Sequence, residues 1–203
     1  MLSSPAQRSA CLAFFMFASG FCSLAYQIVW LREFRLVFGG STLAASAVLA
    51  IFMGALGLGS WVLGHKADQS SRPGRFYAII EALIGLSVLI SPLLLIYGQK
   101  LYYTTGGIQE LGWVAVGLQM LIAIAVIATP CFLMGGTLPA AIRLVQTDED
   151  EVRRSSALMY GMNIAGAVLG AFIVNFYCLE VLGNTTSLLM AAGLNLLLAA
   201  VAY

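Results

Sequence analysis

Hydrophobic residues in this chain fall in long uninterrupted runs, and nearly all charged residues collect in the short segments between them. Six runs, Ala10–Leu31, Gly40–Gly64, Phe76–Gly98, Val114–Leu138, Ala157–Leu179 and Thr185–Tyr203, stand out. Each approaches or exceeds the roughly 20 residues with which an α-helix crosses a hydrocarbon core about 30 Å thick. Backbone amides and carbonyls find no water in hydrocarbon, so each run must pair them internally, which a helix does. A membrane barrel would show polar and apolar residues alternating with period two, and these runs lack that alternation. The first run follows Arg8 and contains small residues, as a signal peptide does. Cys11 to Leu31 is nevertheless long for a signal core and further runs follow, so it reads as the first span. The predicted fold is all-α, a polytopic bundle of six transmembrane helices in one domain over 1–203.

The connections carry the orientation. Arg8, Lys66, Arg72, Arg75, Arg143, Arg153 and Arg154 fall on one side of the predicted bundle, and Arg32, Arg35 and Lys100 on the other. Basic residues are retained on the cytoplasmic side, which puts both termini in the cytoplasm. Tyr97, Tyr102, Tyr103 and Trp113, with Trp30 at the same level, then form an outer aromatic belt, and Trp61 marks the inner interface. The last run ends at Tyr203 still apolar and without a basic flank. The expectation there is that the natural chain continues or that a partner covers this end.

Composition agrees with the runs: 61% of residues are hydrophobic and 9% charged, far from the balance of a soluble domain. A net charge of +1 gives no reason to expect nucleic acid. Cys11, Cys22, Cys131 and Cys178 lie inside apolar stretches with no metal-ligand spacing and read as small buried hydrophobes. With His65 as the single histidine, no multi-histidine metal or haem site is expected. No cofactor motif and no catalytic motif is legible.

Candidate chemistry therefore rests on polar residues at membrane depth, where each is costly unless paired or wet. Glu81 lies about two turns into the third span and is expected to face the bundle interior, paired with Arg143 or Arg75. The functional alternative is a proton or cation site. Gln119, Asn163, Asn175 and Asn195 are expected to bond across helices. Tyr26, Gln27, Trp30, Arg32 and Glu33 form a polar and aromatic cluster near the outer end of the first span, either an interface anchor or the lining of a pocket for a cation. Thr129-Pro130 and Gly135-Gly136-Thr137-Leu138-Pro139 should kink the fourth span and loosen its end. Asp148-Glu149-Asp150-Glu151 and Arg153-Arg154 read as a solvated loop, with Ser155 or Ser156 capping the fifth helix. Ala55 and Gly59, with Gly54 and Gly57 nearby, and Gly166 and Gly170, backed by Gly161, let helix backbones approach closely.

An ordered series of motifs carries a resemblance. It comprises Gly20-Phe21, Tyr26-Gln27-Ile28-Val29-Trp30-Leu31-Arg32, Val37-Phe38-Gly39-Gly40-Ser41-Thr42, Phe52-Met53-Gly54 and Gly57-Leu58-Gly59-Ser60-Trp61. It continues with Phe132-Leu133-Met134-Gly135-Gly136-Thr137-Leu138-Pro139, Tyr160-Gly161-Met162-Asn163, Gly166-Ala167-Val168-Leu169-Gly170-Ala171 and Leu182-Gly183. The series resembles the membrane domain fused to some bacterial spermidine synthases, and it spans nearly the whole chain. The resemblance implies a bundle similar to half of a major facilitator superfamily transporter, in a bacterial inner membrane, associated with a cytosolic aminopropyltransferase domain. Gly64 to Asp68 also looks like the start of that superfamily's loop between helices two and three. Here Gln69 stands where the pattern has a basic residue, and Arg72 and Arg75 arrive later.

Three functions follow as expectations. The first is a non-catalytic module that anchors or assembles with membrane or cytosolic protein subunits. The second is a half-transporter that dimerises to carry a polyamine or another small cation, using Glu81 and Glu33. The third is the membrane part of an aminopropyltransferase whose catalytic domain lies outside this chain.

Overall fold

The computed structural model describes residues 5–38, 42–104, 112–145 and 149–203, with side chains for all of these except 5–8, 37, 38, 43, 44, 112, 113, 115, 145 and 149–153. The described residues are helical nearly throughout and contain no strand. The first three spans are single helices, α1 (Pro5–Phe38), α2 (Thr42–Asp68) and α3 (Pro73–Thr104). The fourth is built from α4 (Gly112–Ala123), a π turn (Ile124–Ala128), α5 (Thr129–Gly135) and α6 (Thr137–Val145). The fifth is α7 (Glu149–Ile173), a π turn (Val174–Cys178) and α8 (Leu179–Val181), and the sixth is α9 (Gly183–Ala202). All six are long and apolar enough to cross a membrane, over Ser9–Leu36, Ala45–Asp68, Pro73–Thr104, Val116–Leu144, Arg154–Val181 and Gly183–Ala202. The chain is a multi-pass membrane bundle.

Local chemistry explains the interruptions. Pro130 has no N–H to give and its ring crowds the preceding turn; the widened π turn over Ile124–Ala128 lies immediately ahead of it. Gly136 ends α5 by donating to the Leu133 carbonyl at 3.0 Å, a tightened turn that separates α5 from α6. Gly183 has φ +77°, a conformation only glycine adopts without strain, and it reverses the chain between α8 and α9 in very few residues. The fifth helix begins at Glu149, so Ser155 and Ser156 lie within it and do not cap it.

α1 is the centre of the bundle. Of its most apolar window 61% is buried, against 22% for α2 and for the fifth span, and it packs on α7, α9 and α2. The tightest crossings depend on glycine. A methyl group at Gly166 would overlap the Phe17 carbonyl, and one at Gly20 would overlap the Asn163 carbonyl. The crossing of α2 with α5 is built alike: Gly59 lies on the Phe132 carbonyl and Gly135 on the Leu56 carbonyl. Each glycine thus meets the carbonyl three residues before its partner glycine. Other contacts follow the same exchange: first packs on sixth as third packs on fourth, and third packs on sixth. Spans one to three and four to six therefore form two related halves. An odd number of crossings separates them, so the second half is inverted relative to the first.

The aromatic belt is corrected in two places. Trp61, Tyr97 and Tyr103 are exposed on the outside, but Trp30 and Tyr102 are buried in the core. In Trp30 the ring stacks on Tyr26 at 5.7 Å and its indole N–H donates to Ser91 Oγ at 3.3 Å, a bond available only inside the bundle. The Trp113 and Arg8 side chains, Gly39 to Ser41, Asp148 and the side chains from Glu149 to Arg153 lie outside the described residues.

Candidate functional site

Helical spacing gathers the polar residues of three spans into one file. On α3 the buried face runs Tyr77, Glu81, Ile84, Val88 and Ser91, three or four residues apart as a single face requires. On α1 Ser19, Cys22, Tyr26 and Trp30 repeat the same spacing, and on α9 Ser187, Ala191 and Asn195 do so. Gly85 leaves room for α9 to approach, with Leu196 filling the space a side chain would take.

Glu81 lies at the heart of this file and is fully buried. Counting 1.5 Å per residue, it sits about 12 Å along α3 from Pro73. Asn195 Nδ2 donates to its Oε2, and the Tyr26 hydroxyl donates to Asn195 Oδ1 at 2.7 Å. Cys22 Sγ donates to the Ala191 carbonyl at 3.5 Å beside them. The other carboxyl oxygen, Oε1, is buried without a hydrogen-bond partner, and so is the Tyr77 hydroxyl. Tyr77 and Ser19 nonetheless lie within interaction range of the carboxyl. A side-chain amide thus serves Glu81 where an arginine was expected. Arg75 instead donates to the Tyr203 hydroxyl at 2.8 Å and lies over its ring at 5.1 Å, supplying the end of α9 with a cationic contact from α3. Arg143 is half-buried in the last turn of α6.

Two cavities flank the file. Toward the face carrying Lys66, Arg72 and Arg75, a cavity of about 280 Å³ is lined by Cys11, Leu12, Phe15, Gly74, Tyr77 and Leu144, among others. Toward the opposite face, a cavity of about 190 Å³ is lined by Val29, Glu33, Leu95, Gln99, Asn184 and Thr185, among others. Within it Asn184 Nδ2 donates to Glu33 Oε1 at 2.7 Å. The outer cluster therefore divides. Glu33 reaches this cavity, Arg32 is exposed, and Gln27, Tyr26 and Trp30 are buried.

The other sequence candidates have structural places. Asn163 Nδ2 donates to the Met16 carbonyl at 3.2 Å across the crossing of α1 with α7, and Gln119 Nε2 donates to the Tyr102 hydroxyl at 2.8 Å. Gly64 packs on Pro139, Asp68 is exposed at the end of α2, and the Arg72 amide donates to Ser70 Oγ at 3.3 Å. Asn175 departs from its expectation. It lies in the π turn of the fifth span with its side chain exposed on the outside of the bundle. Two residues of the sites escaped sequence reading. Tyr77 sits one turn before Glu81 on the same face, a spacing that could have been read. Asn184 was masked by its place in a short polar connection.

The outward surfaces differ in kind. α3 presents Ile79, Leu83, Leu86, Ile90 and Leu93, all bulky and apolar, as a lipid-facing helix should. α2 presents Ser46, Ala50, Gly54 and Gly57, and the fifth span presents Ala157, Gly161, Ala165 and Asn175, among larger apolar residues. A methyl group added at Gly54, Gly57 or Gly161 would meet nothing within 4 Å.

Set beside protein-family models, curated proteins and solved structures, the chain matches none.

Proposed function

We propose that this chain is a non-catalytic membrane module that works within a larger assembly, receiving other membrane helices on the outward faces of α2 and the fifth span. Asn175 carries the reading. An amide turned outward at membrane depth has no water to bond, and a polar group in hydrocarbon costs several kcal/mol unless another helix supplies a partner. The neighbouring surface supports it. Glycine costs about 1 kcal/mol relative to alanine inside a helix, and it returns that cost where backbones touch. Gly20, Gly59, Gly135 and Gly166 all sit at such crossings. Gly54, Gly57 and Gly161 are equally suited to one, on faces that this bundle leaves open.

In this reading the face bearing Lys66, Arg72, Arg75 and Arg154 is cytoplasmic, both termini are on that side, and the membrane is a bacterial inner membrane. The resemblance to the membrane domain of fused spermidine synthases makes an aminopropyltransferase-like protein one candidate member of the assembly. Native mass measurement after extraction in mild detergent tests the proposal. The wild-type protein should run as a complex larger than its 21.6 kDa chain. Asn175→Leu and Gly161→Leu should dissociate it while preserving helicity, and Leu86→Ala should leave it intact. A wild-type protein that extracts as a lone folded monomer would sink the proposal.

A further inference from the structure

The geometry points to Glu81 as a proton-exchange site in the interior of the bundle, reached through Tyr77 from the cavity on the basic face. Three observations carry it. First, the carboxyl is fully buried at membrane depth, and its interactions are with Tyr77, Ser19 and Asn195, all neutral. An ionised carboxylate in such a place lacks the cation that would offset its lost hydration, so the neutral acid competes with it. Second, Oε1 and the Tyr77 hydroxyl are both buried, neither holds a well-formed hydrogen bond, and each lies within reach of the other. A buried hydroxyl and a buried carboxyl oxygen this close, with Ser19 beside them, form a pair whose bond is made or released by turning the phenol O–H. Third, Tyr77 adjoins both regions: its hydroxyl is buried within reach of the carboxyl, and the residue lines that cavity along with Phe15, on which its ring stacks at 6.4 Å.

Tyr77, Ser19 and Asn195 carry donors and acceptors suited to both protonation states of the carboxyl. With Glu81 ionised, the Tyr77 O–H turns to donate to Oε1 while Asn195 Nδ2 donates to Oε2. With Glu81 protonated on Oε1, the new O–H donates to the Tyr77 oxygen, whose own hydrogen turns toward Ser19. The exchange is a proton transfer alone. The O–H bond of Tyr77 breaks as one forms on Oε1, the buried Tyr77 oxygen regains a proton from a water that must pass its ring from the cavity, and no electron moves.

The titratable and charged groups on the elements around Glu81 are few. α1 contributes Cys22 and Tyr26, α3 contributes Tyr77, and α9 contributes Asn195, which does not titrate. The fourth span, packed on α3, carries Cys131 and Arg143, and Arg75 at the start of α3 is engaged by Tyr203. A proton suits the site better than a metal cation. A hard cation needs several oxygens pointing at it, whereas Asn195 offers Glu81 its N–H.

Infrared difference spectroscopy of the full chain in lipid bilayers tests the inference. A protonated-carboxyl stretch should appear at low pH, disappear as pH rises, and be absent in Glu81→Gln. Isotope-labelled glutamate assigns the band without any substitution, should that variant fail to fold. On transfer to deuterated buffer the band should shift, and Tyr77→Phe should slow that shift about tenfold, a barrier change of about 1.4 kcal/mol. Three results would each overturn the inference. These are no protonated-carboxyl band from Glu81 at any pH, a band that does not respond to pH, or exchange in Tyr77→Phe at the wild-type rate.

Discussion

Replacing Gly166 with alanine places a methyl group where the Phe17 carbonyl already stands, with the Phe17 carbonyl carbon and Cα close behind. These are backbone atoms, so no rotamer change can make room and α1 and α7 must separate. Overpacking a well-fitted contact costs about 1–3 kcal/mol, and a backbone obstruction belongs at the upper end. Alanine returns up to about 1 kcal/mol through its better helix propensity. The net expectation is a loss of about 2 kcal/mol, which is roughly a thirtyfold shift toward the unfolded state. Gly161→Ala is the matched control on the same helix. Nothing lies within 4 Å of the added methyl group, so the propensity gain stands unopposed and the isolated chain should be as stable as wild type or slightly more so. Reversible unfolding in mixed micelles, read by circular dichroism, measures both. Gly166→Ala proving as stable as Gly161→Ala would refute the close-contact reasoning, because the two differ only in what the methyl group meets.

The inverted relation between the halves predicts that Gly59→Ala and Gly135→Ala destabilise to a similar degree as Gly166→Ala in the same assay, while Gly54→Ala does not. Asn195→Leu removes the donor to Glu81 Oε2 and the acceptor of Tyr26 together. Leaving buried groups unpaired costs about 1–3 kcal/mol each, and Asn195→Ala should do the same, so a neutral effect in unfolding measurements would contradict the network. Arg75→Ala should speed backbone hydrogen exchange in the last turn of α9 more than Tyr203→Phe does, since the phenylalanine ring still faces the guanidinium.

Span number was legible because a helix in lipid must be both long and apolar, and both properties are local. The close helix crossings were half legible. Gly59, Gly166 and Gly170 sit at contacts as their spacing suggested, but Gly54, Gly57 and Gly161 have the same composition and face outward. Small residues mark a potential contact without saying which helix fills it. Glu81 was read correctly as interior, yet its partner was not Arg75 or Arg143. Basic residues at span ends are drawn to the interface, while Asn195 reaches the carboxyl from a span more than a hundred residues later. Trp30 and Tyr102 were misplaced because a belt of aromatics and a buried aromatic at the same depth look identical in sequence. Only the turn of the helix separates them. Asn175 illustrates the opposite case. Its depth was legible, but the π turn over Val174–Cys178 sets the direction of its side chain, and no proline marks that turn.

The central claim is that α2 and the fifth span face protein and not lipid. A photoreactive amino acid placed at position 57 or 161, and for comparison at 86 or 90 on α3, tests it in native membranes. The account predicts protein adducts from 57 and 161 and lipid adducts alone from 86 and 90. Lipid adducts alone from all four positions would contradict it.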